Sequence, residues 1–96
     1  MVTEAIDFKY LLVDNYKRLK ISEDELVTIL VIEHLLNQNN SFITADLLAL
    51  KMNYDIKCID KILAGLLKKR LIEFKTKGNK TTTSLDPLKS LLYKEF

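Results

Sequence analysis

Residues 21–85 read ISEDELVTILVIEHLLNQNNSFITADLLALKMNYDIKCIDKILAGLLKKRLIEFKTKGNKTTTSL. This stretch carries three helix starts in succession, then two β-prone runs around one tight turn. The clearest start is Ser22 followed three residues later by Glu25, a capping box that satisfies orphan backbone donors reciprocally. Ile21 and Leu26 flank it at the spacing of a hydrophobic staple. The helix predicted from there runs to about Asn37 and is apolar almost all round, through Leu26, Val27, Ile29, Leu30, Val31, Ile32, Leu35 and Leu36. Such a helix needs cover on most sides, which places it at the centre of the domain.

Gln38-Asn39-Asn40-Ser41 makes the following turn. Thr44 caps a short second helix with Asp46 in its first turn, an Ile43/Leu48 staple and an end near Met52. Asn53-Tyr54 turns the chain, and Asp55 caps a third helix. There Ile56, Ile59, Ile62, Leu63, Leu66 and Leu67 fall on one stripe, leaving Lys57, Asp60, Lys61, Ala64 and Lys68 facing away. Leu71–Lys75 and Thr81–Leu85 then flank Gly78-Asn79, which predicts a β-hairpin.

Working outward, Ile6-Asp7-Phe8 alternates as a very short strand would, and from Lys9 the pattern turns helical through Leu11, Leu12, Tyr16 and Leu19. Lys17, Arg18 and Lys20 close that helix, where cations suit the negative end of the dipole. Past the hairpin, Asp86-Pro87 reads as a cap and first-turn proline, followed by a stripe of Leu88, Leu91, Leu92 and Phe96. Helices this short do not persist alone, so both terminal segments must pack on something. The expected architecture is mainly α (α+β): a winged helix-turn-helix with an extra N-terminal strand and helix and a C-terminal helix. It is one domain over residues 1–96, with an extension at 1–20, a core at 21–85 and the last helix at 86–96.

A 96-residue chain that is 48% apolar and 29% charged is large enough for one core and too small for two. One cysteine allows no internal disulfide, and no metal-ligand spacing occurs. The longest apolar stretch is about half a membrane span, and no basic-then-apolar leader opens the chain. A soluble cytoplasmic protein is expected, without membrane contact, cofactor or small-molecule substrate. The net charge of +2 conceals a polarity. Residues 1–55 carry five basic and nine acidic side chains, residues 56–80 eight basic and two acidic. The third helix and hairpin form a basic half on an acidic body.

The chain resembles the N-terminal domain of the DnaD family of bacterial replication-initiation proteins. The likeness lies in Leu11-Leu12-Val13-Asp14-Asn15-Tyr16-Lys17-Arg18-Leu19 followed by Ile21-Ser22-Glu23-Asp24-Glu25-Leu26. It continues in Ala45-Asp46-Leu47-Leu48-Ala49, Leu66-Leu67-Lys68-Lys69-Arg70-Leu71-Ile72 and Ser84-Leu85-Asp86-Pro87-Leu88. The resemblance implies a winged helix whose added terminal elements mediate self-association. It also implies a role in the primosome, helping initiator and helicase-loading proteins remodel origin DNA. Lys20 departs from it, standing at a helix end where relatives often carry glycine. The tyrosine-isoleucine-tryptophan motif of the family's second domain does not occur, and the sequence has no tryptophan.

Two groups of residues are candidate surfaces. Lys57, Lys61, Lys68, Lys69, Arg70, Lys75, Lys77 and Lys80 could straddle the phosphate backbone of double-stranded DNA. The outward positions of the third helix hold no Asn or Gln, with Arg70 only at its far end, so little base reading is expected. Asp55 would also repel phosphate from its N-terminus. Ile6, Phe8, Leu11, Leu88, Leu91, Leu92 and Phe96 either cap their own core or meet a second copy in a homo-oligomer, dimer or tetramer. No catalytic constellation emerges. His34, beside Glu33, reads as partly buried or interfacial, and Cys58 as a packing residue whose pKa the helix dipole could lower. Glu23, Asp24 and Glu25 suit a helix N-terminus. The expected function is a DnaD-like scaffold domain that self-associates and docks primosome and initiator proteins, with non-specific DNA contact. The alternative is a dimeric winged-helix transcription regulator that reads a specific operator.

Overall fold

The computed structural model describes residues 8–38, 40 and 42–95. Five helices and a hairpin follow in the order α1 (Phe8–Asn15), α2 (Glu23–Asn37), α3 (Ala45–Lys51), α4 (Ile56–Lys68), β1 (Glu73–Lys77), β2 (Lys80–Ser84) and α5 (Asp86–Glu95). The start signals act as read. Ser22 and Glu25 complete the capping box of α2, Thr44 Oγ1 accepts from the Leu47 amide, and Asp55 Oδ1 accepts from the Cys58 amide at 2.9 Å.

Ile29, Ile32 and Leu35 from α2 meet Leu48 of α3 and Ile59 and Leu66 of α4 in one core. α2 is not covered all round: Val27 is 47% exposed and His34 is exposed, not buried. Val27 and His34, seven residues apart, share a face of α2 that stays in solvent, while α3 and α4 pack on the helix elsewhere.

The hairpin is displaced from its expected limits. The ladder begins at Glu73 and runs into the turn, pairing Lys77 with Lys80 across Gly78-Asn79. Gly78 takes φ +64°, which suits glycine at the first central position of a two-residue hairpin turn. Leu71, Ile72 and Leu85 fall outside the ladder and are buried in the core, the Leu71 amide closing the turn after α4 on Leu66 O. Phe74 of β1 meets Phe42 edge-on at 5.6 Å, and Thr83 Oγ1 accepts from the Ile43 amide at 2.9 Å. These contacts seat the hairpin against the α2–α3 connection.

The terminal helices pack on each other. Phe8, Leu11 and Leu12 of α1 and Leu88 and Leu92 of α5 are all buried. Phe8 opens α1 and is not part of a strand, while Ile6 and Phe96 lie outside the described residues. Lys89 of α5 sits 3.3 Å from Glu33 of α2 and 5.2 Å from the centre of the Phe8 ring, joining three helices at one ammonium. Asp86 is the first residue of α5 and not its cap, since the Leu85 carbonyl already accepts from the Lys89 amide at 2.9 Å.

α1 also ends earlier than its apolar pattern suggests. It stops at Asn15, and residues 16–20 close as a Schellman turn: the Ile21 amide donates to Tyr16 O and the Lys20 amide to Lys17 O. α4 ends in the same way, with the Leu71 amide on Leu66 O and the Arg70 amide on Leu67 O. Lys20 (φ +60°) and Arg70 (φ +59°) occupy the left-handed position that glycine usually takes.

Candidate nucleic-acid interface

The α4 stripe sorts as its periodicity requires. Ile59 and Leu66 are fully buried, Ile62 and Leu63 are partly buried, and Lys57, Asp60, Lys61, Ala64 and Lys68 are exposed. Ile56 and Leu67, at the two ends of the stripe, remain partly in solvent. Lys57, Lys61 and Lys68 therefore lie along the outer face of a 13-residue helix, and Arg70 follows at its end. On the hairpin, pairing of Lys75 with Thr82 and of Lys77 with Lys80 places Lys75 and Lys80 on one face. The opposite face carries Phe74, Thr76, Thr81 and Thr83. The Lys77 side chain lies outside what the structure describes.

Among the described candidate cations, Lys69 and Lys75 are paired with acids of their own chain. Lys69 Nζ donates to Glu25 Oε1 at 2.6 Å and to the Lys20 carbonyl at 2.7 Å. Lys75 Nζ is 2.7 Å from Asp86 Oδ2 and 3.6 Å from Glu73 Oε1. The Asp86 hydrogen bond raises the Lys75 pKa and lowers that of Asp86, so both stay charged. Lys57, Lys61, Lys68, Arg70 and Lys80 are exposed, and among the described residues no carboxylate bridges them.

The N-terminal end of α4 has the opposite character. The Cys58 amide hydrogen bond to Asp55 lowers that carboxyl's pKa, keeping a negative charge at the cap. The same carboxylate raises the pKa of the neighbouring Cys58 thiol, against the expected effect of the helix dipole. Cys58 is therefore a protonated thiol at neutral pH.

The three acids opening α2 each take a partner from another part of the chain. Glu23 accepts from the Tyr16 hydroxyl at 2.8 Å, Asp24 accepts from the Tyr54 hydroxyl, and Glu25 accepts from Lys69. Both acceptor bonds raise the tyrosine pKa values. Sequence reasoning assigned these acids to capping and dipole alone. Their partners lie 7, 30 and 44 residues away, and no local spacing signals such pairs.

Of the self-association candidates, Phe8, Leu11, Leu88 and Leu92 are buried within their own chain and Leu91 is partly buried. The four buried side chains reach a second copy only if α1 unpacks from α5, whereas Leu91 keeps part of its surface in solvent. The exposed apolar side chains of this pair are Tyr10 (62%), Val13 (52%) and Tyr93 (52%).

The profile of the DnaD N-terminal domain family matches residues 8–96. The chain belongs to that family. It is similar to the crystal structure of the N-terminal domain of DnaD protein from Geobacillus kaustophilus HTA426, with a TM-score of 0.72 and 28% sequence identity. That match covers 98% of this chain and 79% of the other. No curated protein matches. This DnaD-like replication-initiation domain is mainly helical with a small antiparallel sheet, and no described helix is long and apolar enough to cross a membrane. The DnaD-like segment Ser84–Leu88 is where the hairpin joins α5: Leu85 and Leu88 enter the core, and Asp86 ties Lys75.

Proposed function

We propose that this DnaD-like domain is a winged-helix scaffold of the replication-initiation machinery, with α2–α4 as its helix-turn-helix and β1–β2 as its wing. It self-associates, docks primosome and initiator proteins, and holds duplex DNA by its backbone without reading sequence. The observation that carries the DNA part is the exposed row Lys57, Lys61, Lys68 and Arg70 along α4. Lysines supply charge without the bidentate geometry that reads bases. The acid at the Asp55 cap turns phosphate away from the helix end that usually enters the major groove.

Self-association is assigned to the outer face of the α1–α5 pair, through Val13 and Tyr93, because Phe8, Leu11, Leu12, Leu88 and Leu92 of those helices are already in the core. An oligomer presents several basic rows together, so individually weak contacts gain from effective concentration.

The test combines light scattering after size exclusion, over a concentration series, with titration of labelled duplexes. The expected result is an oligomer that Val13→Asp with Tyr93→Asp converts to a folded monomer, and near-equal affinity for unrelated duplexes. A monomer at all concentrations would remove the scaffold. A preference of about a thousandfold for one sequence would replace it with an operator-reading regulator.

A further inference from the structure

The Lys69 ammonium, 2.7 Å from the Lys20 carbonyl, holds two helix ends against each other. One is the turn after α1, with Lys17, Arg18 and Lys20; the other is the turn after α4, with Lys68, Lys69 and Arg70. All six side chains are exposed. A cation beside the negative end of its own helix is ordinary. The tertiary structure adds the convergence of two such ends, 49 residues apart, on one edge of the molecule. Lys69 answers Glu25, but no described carboxylate pairs with Lys17, Lys20, Lys68 or Arg70. Glu23 and Asp24, the exposed acids that follow the first turn, carry the Tyr16 and Tyr54 hydroxyls.

We infer that this double turn is a second phosphate-backbone contact for duplex DNA, so that DNA runs off the C-terminal end of α4 and across the α1–α2 connection. Lys57, Lys61 and Lys68 lead along α4 into it, which makes the row and the double turn one continuous basic track. The inference rests on the reading that this domain binds duplex DNA. Two features favour a duplex backbone over other polyanions. The Tyr16 ring is half-buried with its hydroxyl engaged, so neither turn offers an open aromatic face for stacking an unpaired base. Ile21 and Leu71, which follow the two turns, are buried, so Leu67 at 38% exposure supplies little of the apolar anchoring that a docked acidic protein segment would need.

The experiment titrates a labelled random-sequence duplex at several salt concentrations against three proteins. These are the unaltered domain, a turn variant (Lys17→Ala, Lys20→Asn, Arg70→Asn) and an α4–hairpin variant (Lys57→Ala, Lys61→Ala, Lys80→Ala). Asparagine is chosen where φ is positive because it tolerates that conformation. The turn variant is expected to bind about tenfold more weakly, with a salt slope shallower by about 2 to 3, close to one unit per lost phosphate contact. A folded turn variant with unchanged affinity and slope, beside a weakened α4–hairpin variant, overturns the inference and leaves DNA binding standing. Absence of DNA binding by the unaltered domain overturns both. If the turn variant keeps its DNA affinity but loses binding to a polyglutamate peptide, the surface takes acidic protein and the inference fails. Should the turn variant unfold, Lys17→Glu with Lys68→Glu repeats the test away from the positive-φ positions.

Discussion

Glu25 and Lys69, 44 residues apart, meet at 2.6 Å, and this pair connects the start of α2 to the end of α4. Glu25 Oε1 also accepts the Ser22 amide at 2.9 Å, so one carboxylate oxygen closes the capping box and receives the ammonium. The Glu25 side chain is 10% exposed and that of Lys69 38%. The carboxylate loses more water than the ammonium on pairing.

Glu25→Gln is therefore expected to destabilise the domain by about 1–3 kcal/mol at pH 7, combining a weakened cap with a broken, partly buried pair. Burial alone would raise the Glu25 pKa, but the Lys69 and Ser22 hydrogen bonds outweigh it and the net shift is downward. The contribution is complete above the unfolded-state carboxyl value of about 4.3 and is lost as pH falls through the lower folded value. Urea midpoints of both proteins should differ most at neutral pH and converge in acid. A difference that stays constant across pH would show that Glu25 acts through shape and not charge.

Gly65 lies inside α4, where alanine would normally gain about 1 kcal/mol in helix propensity. A Cβ there would come within 3.2 Å of Glu25 Oε2, on a carboxylate already fixed through its other oxygen. Gly65→Ala should accordingly show little or no gain in the unaltered domain. With Glu25→Ala it should recover a stabilisation of about 1 kcal/mol. Equal effects in both backgrounds, measured by chemical denaturation, would mean the carboxylate moves aside freely.

Lys20→Gly and Arg70→Gly should each raise stability by about 0.5–1 kcal/mol, because glycine takes φ near +60° without a Cβ penalty. The Lys20 carbonyl that Lys69 uses is backbone and survives the change. A fall in thermal midpoint would place the value of these residues in their side chains.

Asp86→Asn should release Lys75 for phosphate contact. Duplex binding is expected to tighten severalfold and its salt slope to steepen by about one unit. Fluorescence anisotropy at three salt concentrations measures both, and an unaltered slope would mean the hairpin lysine never reaches DNA.

Phe8→Asp tests whether Phe8 serves its own core or a second copy. Phe8 is 6% exposed and packed on α5, so the change should undock α1 and lower stability by several kcal/mol, not yield a folded monomer. Circular dichroism through a thermal ramp distinguishes the two results.

Local rules carried the sequence reading far. The caps at Ser22, Thr44 and Asp55, the apolar stripe of α4 and the Gly78-Asn79 turn depend on neighbours within a few residues, and all stand where their spacing puts them. The same rules overran at two element ends. The pattern of α1 continued through Leu19, but the helix stops at Asn15, whose side chain turns back to the Leu11 carbonyl at 2.9 Å. Leu71 and Ile72 looked like strand, but the Leu71 amide closes the turn after α4 and both side chains enter the core.

By itself, then, the sequence determined the helices, their starts, the hairpin and the charge polarity, because each arises from interactions a few residues long. Only the tertiary structure decided which charges stay open to a ligand and which apolar groups remain to meet a partner. Lys69 and Lys75 are drawn onto Glu25 and Asp86, and Phe8 and Leu88 into a shared core, while the Lys20 carbonyl is brought to the Lys69 ammonium. Those outcomes depend on contacts between residues far apart in the chain. Charge and hydrophobicity act through distance in space, which residue spacing along the sequence does not record.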